Sequence, residues 1–140
     1  MPIRNCSIFS FKGNNTTVIL PIKIVNPHSN LSYKTFGLID TGATECAIPS
    51  KIAKILGHNL ENGTKKEIST GNGLAIAYGH TSIIEIYHPQ RLNKPAVFIL
   101  KNVLIDFMPN LNVPLLGVNN FLSNFTLIIN YPKRIFSLIQ

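Results

Sequence analysis

Short runs of β-branched and other apolar residues recur along this chain, and Gly, Pro or Asn residues separate them. Runs of this length with this punctuation are typical of β-strands. Most of the chain is therefore expected to form β-sheet. The predicted strands cover residues 16–25, 33–39, 66–77, 81–87, 96–105, 125–130 and 135–139.

Two stretches have a helical rather than a strand pattern. In SKIAKILG, residues 50–57, the apolar positions repeat at helical spacing, and Ser50 and Gly57 are placed to cap the two ends. In GVNNFLSNF, residues 117–125, apolar side chains mark one face of a helix of about two turns. The chain is expected to contain two short helices.

The composition indicates one folded domain over residues 1–140. Apolar residues make up 45% of the chain and charged residues 14%, which excludes a disordered protein. No apolar run approaches the roughly 18 residues that span a bilayer, so no membrane segment is expected. The first residues lack the apolar stretch of a secretory signal, which makes the cytoplasm the expected location.

The net charge of +7 raises the question of nucleic-acid binding. The thirteen Lys and Arg residues are scattered singly, apart from Lys65-Lys66 and Lys133-Arg134, and form no basic helix. A solvated basic surface explains this distribution better than a nucleic-acid site does. A nucleic-acid-associated protein remains the alternative that the charge suggests.

Metal and nucleophile chemistry have little support in the sequence. The four His and two Cys residues lack the spacing of a metal site, and Cys46 has no evident histidine partner. The glycines near residue 72 are not followed by a nucleotide-binding pattern. No metal and no cofactor are predicted.

The segment LIDTGAT, residues 38–44, places an aspartate directly after an apolar run. A carboxylate there is partly desolvated, and hydrogen bonds must offset that cost. Thr41 offers a hydroxyl group, Gly42 allows a sharp turn that brings backbone N–H groups near the carboxylate of Asp40, and Ala43 keeps the surroundings small. Taken alone, the triplet is equally compatible with an ordinary turn aspartate.

With its flanks, FGLIDTGATECAIPSKIAKILG resembles the active-site region of the retropepsin-like aspartic proteases. In that family a glycine-bearing flap hairpin follows, and later an apolar pair and a glycine lead into a helix. ISTGNGLAIAYG, residues 68–79, matches the hairpin, with Asn72-Gly73 as its tight turn. The segment VPLLGVNNF supplies Leu115, Leu116 and Gly117 for the later motif.

The resemblance implies a closed, mostly-β retropepsin-like barrel with one or two short helices and a flap. It implies an aspartic endopeptidase that cleaves a polypeptide without a metal or cofactor. Asp40 would be the catalytic acid and base, supported by Thr41 and Gly42, and the family's threonine bonds across the dimer interface. The residues expected to contact the substrate are Ala43, Gly71, Asn72, Gly73 and Leu74.

The chemistry that the resemblance implies requires two aspartates, and the chain has only Asp40 and Asp106. Phe107 and Met108 follow Asp106 in place of Thr and Gly, so Asp106 is interpreted as a strand-end or turn residue. The second catalytic carboxylate is then Asp40 of another copy, which predicts a homodimer. The alternative is a catalytically inactive peptide-binding module with the same fold.

Overall fold

The structure is a computed structural model that describes residues 3–8, 17–71 and 73–140. These residues form ten strands, one α-helix, α1 (Lys51–Ile55), and two 3₁₀ turns, Leu60–Asn62 and Leu122–Asn124. The strands are β1 (Ile3–Ser7), β2 (Ile19–Val25), β3 (Ser32–Ile39), β4 (Ala47–Pro49), β5 (Thr64–Thr70), β6 (Gly73–Ile86), β7 (Phe98–Met108), β8 (Leu115–Leu116), β9 (Thr126–Asn130) and β10 (Ile135–Ile139).

Six strands close into a barrel in the order β2-β3-β8-β4-β7-β6, and β6 pairs back onto β2. The β3–β8 and β4–β7 pairs are parallel, and the other neighbours are antiparallel. Strand β5 lies outside the closed ring and extends the sheet from β6. The predicted fold class, a closed and mostly-β barrel, is confirmed.

The barrel core follows from the alternation of apolar residues along the strands. On β2, Ile22 and Ile24 face inward and pair in register with Ile86 and Ile84 of β6. All four side chains are at most 2% exposed. Burial of this kind is worth about 1.5–3 kcal/mol per aliphatic side chain. The closed ring is therefore held by the same strand pairing that buries its apolar face.

A second sheet, in the order β1-β10-β9, brings the two ends of the chain together. Ile3 and Cys6 of β1 and Phe136 and Leu138 of β10 are buried, and they belong to the same apolar cluster as the barrel interior. This small sheet thus closes one side of the core.

The strand predictions needed several corrections. The predicted strand over residues 66–77 is divided between β5 and β6. The break predicted at residues 78–80 is absent, because β6 continues through them. The short strands β1, β4 and β8 were not predicted, and position 16 lies outside the described residues. Strands β4 and β8 contain three and two residues, and each is paired on both edges, so neighbours rather than sequence pattern hold them.

The first helix is confirmed, although Ser50 makes no side-chain cap, and Gly57 follows it with φ +75°. The second predicted helix is wrong, because the chain forms only irregular turns and the 3₁₀ turn there. Phe121 has non-helical backbone angles, and its fully buried ring packs against Phe98 and Phe125. Burial of that ring outweighs the helical spacing of the sequence.

Candidate active site

Backbone hydrogen bonds hold Asp40 in the loop after β3, and one of them reaches its carboxylate. The Gly42 N–H donates to Asp40 Oδ1 at 2.9 Å, and the Ala43 N–H donates to the Asp40 carbonyl oxygen at 3.2 Å. The Asp40 N–H donates to the carbonyl oxygen of Leu116 at 3.1 Å. The half-buried carboxylate therefore has a fixed direction, as the predicted glycine turn requires.

The segment Leu115–Gly117 locks this loop from the other side. Strand β8 pairs in parallel with the end of β3, and the Val118 N–H donates to the Ala43 carbonyl oxygen at 2.9 Å. A Cβ atom on Gly117 would collide with the backbone of Glu45 and lie 2.9 Å from the Ala43 carbonyl oxygen. Only glycine allows the two backbones to approach this closely.

Cys46 also fixes the Asp40 loop. Its N–H donates to Asn120 Oδ1 at 2.7 Å, and the Gly117 N–H donates to Cys46 Sγ at 3.3 Å. Burial raises the pKa of the Cys46 thiol to about 11, although the Gly117 N–H bond opposes this shift. The thiol is therefore protonated and packed, which does not suit a nucleophile.

Strands β5 and β6 form a hairpin whose outer part projects beyond the barrel. Strand β7 joins β6 only from Tyr78 onward, so before that residue β6 pairs with β5 alone. Thr70 pairs with Gly73, which places Gly73 in the strand rather than in the turn that was predicted. Gly73 has φ +104°, a conformation that favours glycine, and the predicted site residue Asn72 lies outside the described residues.

A cleft of about 750 Å³ lies between the Asp40 loop and this hairpin. The structure brings several of the predicted site residues into its lining: Asp40, Gly42, Ala43, Gly71 and Leu115. Other predicted residues are described but do not line it: Thr41, Gly73, Leu74, Leu116 and Gly117. Leu74 is 76% exposed, and its role in substrate binding stays a prediction.

No protein-family model and no curated protein matches this sequence. The structure is similar to the crystal structure of a retropepsin-like aspartic protease from Rickettsia conorii, at 22% sequence identity and a TM-score of 0.59. The match covers 87% of this chain and 98% of that chain. The chain has the retropepsin-like fold. The resemblance drawn from the Asp-Thr-Gly-Ala and Leu-Leu-Gly segments is therefore confirmed at the level of structure.

The cleft of this retropepsin-like barrel also contains charged residues that the sequence analysis did not place at the site. Lys66 Nζ lies 3.3 Å from Asp106 Oδ2 and 3.7 Å from Glu45 Oε2. The pKa of Lys66 is raised, and the negative charge of Asp106 is the main cause. Residues 66, 45 and 106 come from β5, the Asp40 loop and β7, so only the fold brings them together.

Asp106 was interpreted as a strand-end or turn residue; it lies near the end of β7, two residues before Met108, and the turn alternative is wrong. Asp106 lies inside β7, paired with Gly79 of β6 and Ala47 of β4, and is 8% exposed. These small neighbours leave room for the carboxylate, and the ammonium group of Lys66 offsets its burial. Asp106 could be mistaken for a turn residue because its ion-pair partner is forty positions away.

The retropepsin-like barrel also has an apolar groove of about 590 Å³ that shares no lining residue with the cleft. Phe36, Leu92 and Pro95 are among its lining residues, and Asp, Glu, His and Cys are absent from the described part of its lining. Lys34, Lys94 and Tyr87 also line the groove, but the described part of its lining holds no carboxylate. The cleft at Asp40 is the better candidate for chemistry.

Within the described ranges, no cluster of three or more His, Cys, Asp or Glu residues is arranged to hold a metal ion. In the same ranges, no helix is both long and apolar enough to cross a membrane. His58 and His80 do stack, with ring centroids 4.4 Å apart, and both contact Phe107. Burial lowers the pKa of His58 to about 4, and the nearby His80 and His28 add to this effect.

Proposed function

We propose that the chain is an aspartic endopeptidase that acts as a homodimer, with Asp40 of two copies as the catalytic pair. One observation carries the proposal: Asp40 lines a cleft of about 750 Å³, and the Gly42 amide fixes its carboxylate, within a retropepsin-like fold. An oriented carboxylate in a cleft that admits a peptide suits general acid and base catalysis.

The assembly follows from the number of available carboxylates. Asp106 lines the same cleft, but its carboxylate is engaged by Lys66 at 3.3 Å. The second carboxylate of the pair is therefore Asp40 of another copy, across a twofold axis. Thr41 and Gly42 are exposed on the single chain, so this loop is open to such a contact.

In the dimer the two Asp40 carboxyl groups share one proton, because two carboxylates about 3 Å apart do not both ionise. The ionised group accepts a proton from a water molecule as the water oxygen attacks the peptide carbonyl carbon. The protonated group donates a hydrogen bond to the carbonyl oxygen, where negative charge develops. A proton then passes to the leaving nitrogen as the C–N bond breaks.

The β5–β6 hairpin acts as the flap in this proposal. Its outer part pairs only within itself, so it opens without breaking the barrel. Closure over a bound peptide excludes water and brings residues 71–74 toward the substrate. This motion supplies the role proposed for Gly71, Asn72, Gly73 and Leu74.

The test compares two matched substitutions in a mixed peptide library, with cleavage products identified by mass spectrometry. Asp40→Asn is expected to lower cleavage by about a thousandfold or more, because it removes the acid–base group. Asp106→Asn is expected to keep most of it. Specific activity should fall on dilution as dimers dissociate, and excess Asp40→Asn chain should suppress wild-type activity once subunits exchange.

Two outcomes would contradict the proposal. The first is loss of activity in both variants together with a wild-type activity per chain that does not change on dilution. This would indicate a pair of Asp40 and Asp106 within one chain. Peptide binding without cleavage by the wild-type chain would favour the inactive binding module. Retention on mixed-sequence DNA that weakens with salt, again without cleavage, would favour the nucleic-acid alternative.

A further inference from the structure

The cleft has the opposite charge to the rest of the protein. The chain carries +7 overall and has only six Asp and Glu residues. Four of them, Asp40, Glu45, Glu67 and Asp106, line the cleft. Alternation along β5 directs the side chain of Glu67 to the opposite face from Lys66. Within the described residues, Lys66 is the only Lys or Arg of the lining.

The three charged side chains beside Asp40 are not equivalent. Asp106 has a side chain only 11% exposed and lies closer to the Lys66 ammonium group, at 3.3 Å. Glu45 is 40% exposed and lies at 3.7 Å, which is a looser contact. Lys66 thus neutralises the buried carboxylate of Asp106 and only partly satisfies the more exposed carboxylate of Glu45. Glu45 lines the cleft, and its carboxylate has capacity for another donor.

We infer that the Glu45 wall of the cleft selects peptides with a cationic side chain, Lys or Arg, near the bond to be cleaved. This inference rests on the proposed function and names its substrate class. The incoming cation binds the carboxylate of Glu45, while Lys66 remains with Asp106. An acidic side chain is disfavoured, because Lys66 is already engaged and Glu45 and Asp40 repel it.

The basic surface of the protein does not reverse this preference. At physiological ionic strength, charges further apart than about 8 Å are largely screened. A peptide side chain inside the cleft therefore responds to Glu45, Lys66, Asp106 and the Asp40 pair rather than to distant lysines. A partly exposed ion pair of this kind is expected to give about a threefold to fivefold preference.

The experiment uses pools of short peptides in which one position is fixed as lysine or as acetyl-lysine, and the other positions are randomised. The two fixed residues have similar shapes but differ in charge. At one position near the cleaved bond, the wild-type chain is expected to show a kcat/KM about three to five times higher for lysine. Glu45→Gln should bring this ratio close to one. Glu61→Gln is the matched control, because Glu61 lies in a 3₁₀ turn and does not line the cleft.

Cleavage that is equally fast with lysine and acetyl-lysine at every position would overturn the inference and leave the proposed function intact. A lysine preference that survives in Glu45→Gln would also overturn it. If the wild-type chain cleaves nothing, the proposed function fails, and the same pools are tested by fluorescence anisotropy on Asp40→Asn. Tighter binding of the lysine pools then supports the inference, and equal or absent binding overturns it.

Discussion

Asp40 and Asp106 line the same cleft, yet the fold treats the two carboxylates differently. Asp40 lies in a tight loop, where the backbone N–H of Gly42 holds one oxygen at 2.9 Å. Asp106 lies inside strand β7, where the side chain of Lys66 holds one oxygen at 3.3 Å. The first arrangement orients a carboxylate through a neutral dipole, whereas the second neutralises its charge.

In the proposed function, this difference separates a reactive carboxylate, Asp40, from a structural one, Asp106. The Gly42 amide is a neutral donor, so it orients the Asp40 carboxylate without placing an opposite charge beside it. The ammonium group of Lys66 engages the charge of Asp106 directly, at 3.3 Å. For the proposed function, the two environments favour Asp40 over Asp106 as the catalytic residue, although both residues follow apolar runs in the sequence.

The largest expected effect comes from Gly117→Ala, which disrupts the loop that holds Asp40. The added Cβ collides with the backbone of Glu45, so the loop and β8 must separate. Unfolding in denaturant is expected to show a loss of about 3 kcal/mol or more. Gly71→Ala is the control, because its Cβ meets open space. Equal midpoints for the two variants would show that the two backbones separate without cost.

Lys66→Met removes the ion pair of Asp106 and leaves this buried carboxylate without its cation. The free energy of unfolding is expected to fall by about 1–2 kcal/mol, because the Asp106 carboxylate loses its charged donor. The loss stays moderate because the lysine is half-exposed and water can take its place in part. Adding Asp106→Asn should recover part of that loss. Lys65→Met, on the other face of β5, serves as the control, and an equal loss there would argue against the ion pair.

The hairpin above both aspartates is tested by Gly73→Ala against Gly71→Ala. Neither Cβ meets an atom within 4 Å, but only Gly73 has a positive φ, of +104°. Hydrogen exchange is expected to show the outer hairpin destabilised by about 1–2 kcal/mol in Gly73→Ala. Cleavage should fall with it. Identical exchange in both variants would mean that the hairpin turn relaxes to accept a side chain.

The smallest effect concerns pH and the histidine pair behind Asp106. His58 packs against Phe107, and its pKa is lowered from 6.5 to about 4. The unfolded chain therefore binds a proton more readily, so stability is complete above pH 6.5 and falls between pH 6.5 and about 4. After allowance for solvent screening, we expect a loss of about 1 kcal/mol that His58→Gln lacks.

The histidine test is read from unfolding curves recorded across that pH window. His28→Gln is the matched control, because His28 is exposed on a loop. The control variant should keep the wild-type slope of stability against pH. A wild-type slope in His58→Gln as well would assign the loss to other groups.

The sequence by itself determined the parts of the protein that depend on local pattern. Apolar alternation predicted the long strands, and the spacing in residues 50–57 predicted helix α1. The Asp-Thr-Gly-Ala and Leu-Leu-Gly segments predicted the retropepsin-like fold, because tight glycine turns leave a recognisable signature. Gly42 also behaved as expected, since its N–H reaches the carboxylate of Asp40.

Only the tertiary structure decided the features that depend on distant partners. Strands β4 and β8 exist because neighbours pair with both their edges, and Phe121 leaves helical geometry because its ring enters an aromatic cluster. Asp106 lines the cleft, and its partner Lys66 reaches it from another strand. Such pairings join residues far apart in the chain, and the hydrophobic pattern carries no record of which charges will meet.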